Sequence, residues 1–362
     1  MSQKKKTIQG ENLSSPSKSR INFKLILGVV LVMILIVMPM IITMTLFRQV
    51  FDERAYIPEV SSLFRYEDVE GYPRRITHFP SGSNRLTAYI YGEENTQGLV
   101  VISHGLGGGA ESYFPETMFF VDYGWRVFAF DNTGSHNSEG AGLRGLPQSV
   151  RDLEAALDYI NTQDWGLPIV LFGHSWGGYA VTTILDRDYD ISAVVSMAGF
   201  NSPLGMMHEA NRGLGFLSGL AYPYLWAYQR ILFGSDAART AVAGINNTDI
   251  PVMIIHGTED DVVLYDGASI IAQMGRITNP NVIAISRSAQ DQNGHNNLLR
   301  DLSAMPMINE LNQLWGAAIR EHDGVVPTDV RDELFAWIRP YASALDPELM
   351  NRINEFFLDS IS

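Results

Sequence analysis

The 362-residue chain reads as an α/β protein with a mostly parallel sheet, and three observations carry that reading. Short, continuously apolar runs alternate with helical patterns from about residue 75 to residue 286. The runs that follow helices lack the in–out alternation of a half-exposed strand, as expected for parallel strands covered on both faces. One of them, "IVLF" at 169–172, runs into a serine set between glycines and then into a second apolar stretch of helical character.

The elements follow in order. Residues 75–79 and 85–91 flank "PSGSN", a hairpin signal. "GLVVIS" (98–103) and "WRVFAF" (125–130) are the next candidate strands, and "SVRDLEAALDYI" (149–160) has apolar residues at helical spacing. "IVLF" (169–172), "SAVVSM" (192–197), "PVMII" (251–255) and "NVIAIS" (281–286) complete the strands. Residues 198–249 interrupt the alternation with a long, aromatic-rich, mostly helix-like stretch. An insertion of that size is expected to be a lid. A second irregular region is expected from His295 to about Val326.

Composition excludes several functions. With 46% hydrophobic and 18% charged residues the chain is globular, and a formal net charge of −14 argues against a nucleic-acid partner. There is no cysteine, which rules out disulfides and thiolate metal sites, and the carboxylates and histidines form no ligand spacing, so neither metal nor cofactor is expected. All five lysines precede residue 25, whereas 20 arginines and 39 acidic residues lie from Arg48 onward. That is a basic tail followed by an acidic domain.

Residues 25–47, "LILGVVLVMILIVMPMIITMTLF", carry no charge over 23 positions, enough to cross a hydrocarbon core of ~30 Å. The run is longer than a signal-peptide apolar region and no small-residue cleavage pattern follows it, so an uncleaved anchor is expected. Six basic residues precede the run, against Arg48, Arg54 and Arg65 after it. The positive-inside bias then puts the N-terminus in the cytoplasm and the domain outside. The expected organisation is a tail (1–24), a transmembrane helix (25–47), a connector (48–72) and a globular domain (73–362) carrying the insertion at about 198–249.

Gly173-His174-Ser175-Trp176-Gly177 fits G-x-S-x-G with strand before and helix after, the setting in which a strained serine projects its Oγ from the sheet edge. A serine hydroxyl needs a base held by an acid, expected in the order Ser, Asp or Glu, His. "HGTEDDVV" supplies Glu259, Asp260 and Asp261 after one strand, and "QDQNGHNN" supplies His295 after the next. The glycines of "HGLGGG" (104–109) suit an anion-binding turn. No G-K-[ST] follows, which disfavours a phosphate loop.

With these motifs in view the chain resembles the α/β-hydrolase superfamily, and within it the branch of monoacylglycerol lipases and serine aminopeptidases. "SHGLGGG", "DNTGSHNSEG", "GHSWGG", "HGTEDDVV" and "NGHNN" carry the resemblance in that order, over roughly residues 75–300. It implies a mostly parallel sheet with helices on both faces and a helical lid, Ser175 as nucleophile and His295 as base. By the same resemblance Asp260 is the acid, ahead of Asp261 and Glu259. It also implies an oxyanion hole from the N–H groups of Leu106 and Trp176, a loop-supporting role for Asp131, and only packing or hydrogen bonding for His174.

The expected activity is hydrolysis of a small-molecule or lipid ester through an acyl-enzyme. The insertion's Met206, Met207, Leu214, Phe216, Leu217, Leu220, Tyr222, Tyr224, Leu225, Trp226 and Tyr228 either line an acyl pocket or only dock the lid. Three readings stay open beside it: a serine peptidase with Glu209 holding a substrate amine, acyl transfer to another acceptor, and a non-catalytic binding protein.

Overall fold

The structure is a computed structural model that describes residues 23–55 and 65–362, with backbone alone described at 214, 216–218, 340 and 342. Residues 1–22 of the expected tail and the middle of the connector lie outside the described residues. Eight strands form one sheet: β1 (Arg74–Ser81), β2 (Asn84–Tyr91), β3 (Leu99–Ser103), β4 (Arg126–Phe130), β5 (Ile169–His174), β6 (Ile191–Met197), β7 (Val252–Gly257) and β8 (Val282–Arg287). Their order is β1-β2-β4-β3-β5-β6-β7-β8. The hairpin pairs Arg74 with Tyr91 and Ser81 with Asn84; β2 also runs antiparallel to β4, and every later pairing is parallel.

The helices are α1 (Phe23–Val32), α2 (Met38–Phe51), α3 (Phe114–Asp122), α4 (Gln148–Asn161), α5 (Trp176–Thr183), α6 (Pro203–Ala210), α7 (Phe216–Phe233), α8 (Ala241–Asn246), α9 (Met305–Glu321), α10 (Thr328–Ala342) and α11 (Pro347–Ile361). A π-helical turn, Met33–Val37, joins α1 to α2 into one helical segment. The apolar runs of β3, β5 and β6 feed both faces of the sheet. Val101, Leu171 and Val194 pack on the side of α4 and α5, whereas Val100, Val170 and Val195 pack with Phe120 of α3 and Phe357 of α11. This two-sided burial is why these strands show no alternation.

Two features depart from the expectations. The stretch read as irregular from His295 to Val326 contains α9, which pairs with α10 around Leu311, Phe335 and Ile338. Arg331 of α10 is buried and ion-paired with Asp68, which ties this helical pair to the connector. The apolar N-terminal helix, long enough to cross a membrane, also does not stand clear of the domain. Phe47 and Phe51 are buried in the main core, with Phe47 edge-on to Tyr228 of α7 at 5.2 Å. Arg54, just beyond, donates to the carbonyls of His136, Ser138 and Gly140.

Candidate active site

Strand β5 ends at His174 and α5 begins at Trp176, so Ser175 turns the corner alone, at φ 55° and ψ −112°. No L-residue adopts that conformation without strain. Backbone crowding explains the glycines beside it. A Cβ at Gly177 would lie 1.9 Å from the Ser103 carbonyl oxygen, and one at Gly173 would lie 2.4 Å from that of Gly177. The corner is pinned by the Ser175 N–H donating to the Met197 carbonyl at 2.7 Å.

His295 and Asp260 come from the loops after β8 and β7. The two loops are stitched by the Glu259 N–H donating to the Asn293 carbonyl (2.8 Å). His295 Nε2 lies 2.9 Å from Ser175 Oγ, and its Nδ1 lies 2.7 Å from Asp260 Oδ2. All three residues are buried. Asp260 accepts two more bonds at Oδ1, from the N–H groups of Val262 (2.9 Å) and Val263 (2.8 Å), and His256 Nε2 stands 3.2 Å from Oδ2. Burial alone would raise this carboxyl. The bonds from His256, His295 and Val263 outweigh it and hold Asp260 well below the ordinary carboxylate range. An ionised Asp260 accepts only, so the proton of His295 sits on Nδ1 and Nε2 is left to accept the Ser175 hydroxyl. Glu259 and Asp261, the other acids considered, lie exposed on the loop.

The first turn after β3 runs beside the serine. The Gly108 N–H donates to the Gly105 carbonyl (3.1 Å), closing a turn over Leu106 and Gly107, with Gly107 at φ +81°. That bond leaves the Leu106 N–H outside the turn. Trp176 opens α5, where the first N–H groups have no acceptor within the helix. Gly105, Leu106, Ser175, Trp176 and His295 all line one cavity of about 490 Å³.

Residues 94–235 match the family described as serine aminopeptidase, S33. An esterase of Pyrococcus furiosus superposes with a TM-score of 0.52 over 80% of this chain and 99% of its own, at 14% identity. The chain has the α/β-hydrolase fold. Among curated proteins, this α/β-hydrolase-fold chain is 25% identical to YfhR of Salmonella typhi over 51% of its own length and 61% of that protein's. It is 28% identical to the quorum-quenching protein AidA of Acinetobacter baumannii over 35% of its length and 46% of that protein's. It thus spans about half to three-fifths of those two relatives. Human monoglyceride lipase is 31% identical over 27% of this chain and 33% of the lipase.

Several further residues of this α/β-hydrolase-fold chain also shape the site. The Gly105 N–H donates to Tyr113 Oη (3.0 Å), and Tyr113 in turn stands 2.7 Å from His174 Nδ1. His174 Nε2 lies 2.9 Å from the His295 carbonyl, an acceptor, so Nε2 carries the proton of His174 and Nδ1 accepts from Tyr113. His104 has the opposite tautomer: Nδ1 donates to the Gly105 carbonyl (2.7 Å) and Nε2 accepts the Asn132 N–H (2.9 Å). Burial lowers both histidines to about 4; for His174 the neighbouring His295 adds to the effect. Both backbone groups of Gly105 are therefore fixed by neutral imidazoles, directly or through Tyr113. Asp131, expected to support a loop, accepts the N–H groups of Ala110 (2.8 Å) and Asn137 (3.1 Å).

The insertion contributes less to the cavity than its sequence suggests. Of its apolar residues considered for a pocket, only Met206 is among the described lining residues; Phe200 lines it as well. Leu225 and Tyr228 are buried in the main core, and Leu220, Tyr222 and Trp226 are exposed. The side chains of Leu214, Phe216 and Leu217 lie outside the described residues. Glu209, considered as an amine anchor, is not a lining residue. Its carboxylate accepts the N–H groups of Leu264 (2.8 Å) and Ala268 (2.6 Å) and staples α6 to that loop. Two charged residues line the cavity instead. Burial pushes Glu116 up, and the Arg300 cation draws it back down.

Proposed function

We propose that this protein is a membrane-anchored serine hydrolase that cleaves carboxylic esters through Ser175, His295 and Asp260. One observation carries the proposal: an unbroken line from Ser175 Oγ through both nitrogens of His295 to a buried carboxylate, at 2.9 and 2.7 Å. In the first step Ser175 Oγ bonds to the ester carbonyl carbon while His295 Nε2 takes its proton, and the Leu106 and Trp176 N–H groups stabilise the oxyanion. Collapse of that intermediate breaks the C–O bond, and His295 returns the proton to the departing alcohol. Water then adds to the acyl-enzyme with His295 as base, releasing the acid and restoring Ser175.

Ester cleavage is favoured over an aminopeptidase reading by the charges at hand. Glu209, the residue considered for holding a substrate amine, is consumed by two backbone N–H groups. The likeness to an esterase and to part of monoglyceride lipase supports the same choice. The apolar helix near the N-terminus would hold the domain at a membrane through residues 25–47, with the N-terminus cytoplasmic and the domain on the far side.

The test is a fluorophosphonate probe followed by paired substrates. Labelling should occur in the native chain and vanish in Ser175→Ala. p-Nitrophenyl esters should be turned over and aminoacyl anilides should not. Labelling with anilide turnover alone would move the assignment to peptidase, and no labelling would end the hydrolase reading.

A further inference from the structure

The second apolar helix of this chain, α7, faces outward with the wrong chemistry for water. Residues 213–229 carry no charged side chain between Arg212 and Arg230. On α7 the exposed positions include Leu220 (61%), Trp226 (50%) and Ile231 (72%), together with Tyr222. By contrast, α11 turns Glu348, Arg352, Glu355 and Asp359 to solvent. Both helices bury their opposite face, so burial does not account for the difference.

What lies against α7 identifies the missing environment. Val37, Met40, Met44, Phe47 and Phe51 recur at spacings of three and four and form the shielded stripe of the N-terminal helix. Met40 and Met44 pack against the core cluster that contains Leu225, Tyr228 and Phe233 of α7. Pro39 has no N–H to give the carbonyl of Leu35, four residues before it, and the Tyr224 hydroxyl donates to that carbonyl. In hydrocarbon a carbonyl freed by proline has to find such a donor. Leu35 stands eleventh in the 23-residue uncharged run, close to its midpoint. A bilayer that covers residues 25–47 therefore also covers the part of α7 that reaches Leu35.

We propose that α7 lies immersed in the membrane leaflet on the domain's side, with Leu220, Tyr222 and Trp226 against lipid. Arg230, 5.8 Å from the Trp226 ring centroid and donating to the Gly234 carbonyl, marks the return to the interface. The immersed helix adjoins the site. Gln229 of α7 donates to Met207 Sδ of α6 at 3.1 Å, and the neighbouring Met206 lines the cavity. The substrate class that fits this arrangement is a lipid ester drawn sideways from the leaflet. The proposal rests on the anchor reading of residues 25–47, and its test separates the two.

The chain has no cysteine, so single introduced thiols can be spin-labelled without background. Full-length Leu31→Cys, Leu220→Cys, Trp226→Cys and Glu355→Cys proteins would be placed in lipid nanodiscs. Power saturation with oxygen is then compared with saturation by a water-soluble nickel chelate. Labels at 31, 220 and 226 should relax several-fold more with oxygen, and the label at 355 with nickel. Nickel preference at 220 and 226 with oxygen preference at 31 overturns the immersed helix and leaves the anchor standing. Nickel preference at 31 as well removes the anchor and the proposal together. All four positions are exposed, so the substitutions leave core packing alone.

Discussion

His174 donates its Nε2–H to the backbone carbonyl of His295, 2.9 Å away, and so the residue before the proposed nucleophile holds the loop of the proposed base. Tyr113 extends the link to Gly105 on the other side of the site. Tyr113→Phe would keep the ring and strand two partners, the Gly105 N–H and His174 Nδ1. Misplacement of the Leu106 turn should lower kcat by about 10- to 100-fold, with KM changed far less. Stability should fall by about 1–3 kcal/mol for the orphaned groups. Steady-state kinetics on a p-nitrophenyl ester and urea unfolding measure the two.

Asp260 and its neighbour Asp261 differ only in where the loop points them. Asp260→Asn should lower kcat by roughly 10⁴-fold, because an amide that can donate toward Nδ1 favours the wrong imidazole tautomer. Asp261→Asn, at an exposed position, should stay within a factor of about two of the parent, as surface substitutions do. Equal losses in both would mean that the acid has been misassigned.

Acid should erode one identifiable part of the stability. His174 titrates at about 4 in the fold and near 6.5 when unfolded. Between those values the unfolded chain binds a proton that the folded chain refuses, so stability falls as pH falls. The contribution is complete above pH 6.5 and is lost progressively down to about pH 4. Buried carboxyls raised in the fold, at Glu116, Asp131 and Asp152, act in the opposite sense and are common to any His174 variant. The stability difference between the native chain and His174→Gln should therefore shrink by up to about 3 kcal/mol from pH 7 to pH 4. A difference that is flat with pH would contradict a neutral, buried imidazole.

Phe47 belongs to the domain although it ends the uncharged run. Its ring meets Tyr228 and approaches Gly145, where a Cβ would lie 2.8 Å from Phe47 Cζ. Phe47→Ala should cost about 3–5 kcal/mol, as for other buried phenylalanines. A soluble form that begins after Phe51 loses both aromatic anchors and should unfold well below the full chain. Thermal scans of the two forms in detergent decide it.

The sheet could be read from the sequence because its central strands, β3 to β7, are buried on both faces. Runs such as "LVVI" and "VLF" then carry no polar residue, and each of the eight strands lies within a residue or two of its place. The candidate site was legible because each of its three side chains sits just after a strand, where chain order alone narrows the choice. Other features were hidden for specific reasons. Nothing in the sequence says that Gly177 and Gly178 are helical, glycine being demanded there by the close approach of Ser103 and Met197. Met-Pro at its start and Gly316 within it masked α9. The seam of the N-terminal helix against α7 was invisible because a run apolar on every side shows no periodicity. Tyr113 had no signal at all, for its role depends on the Gly105 N–H and the His174 ring, which only the fold brings to it.

The left-handed backbone of Ser175 has a further consequence. A glycine there would lose the hydroxyl of the proposed nucleophile, yet it would also shed the repulsion that a side chain meets at φ 55°, on the order of 1–3 kcal/mol. Ser175→Gly should thus melt at a higher temperature than the native protein, whereas Ser175→Ala, which keeps its Cβ, should not gain that relief. On the proposed mechanism, durability has been surrendered at the position where reactivity is required.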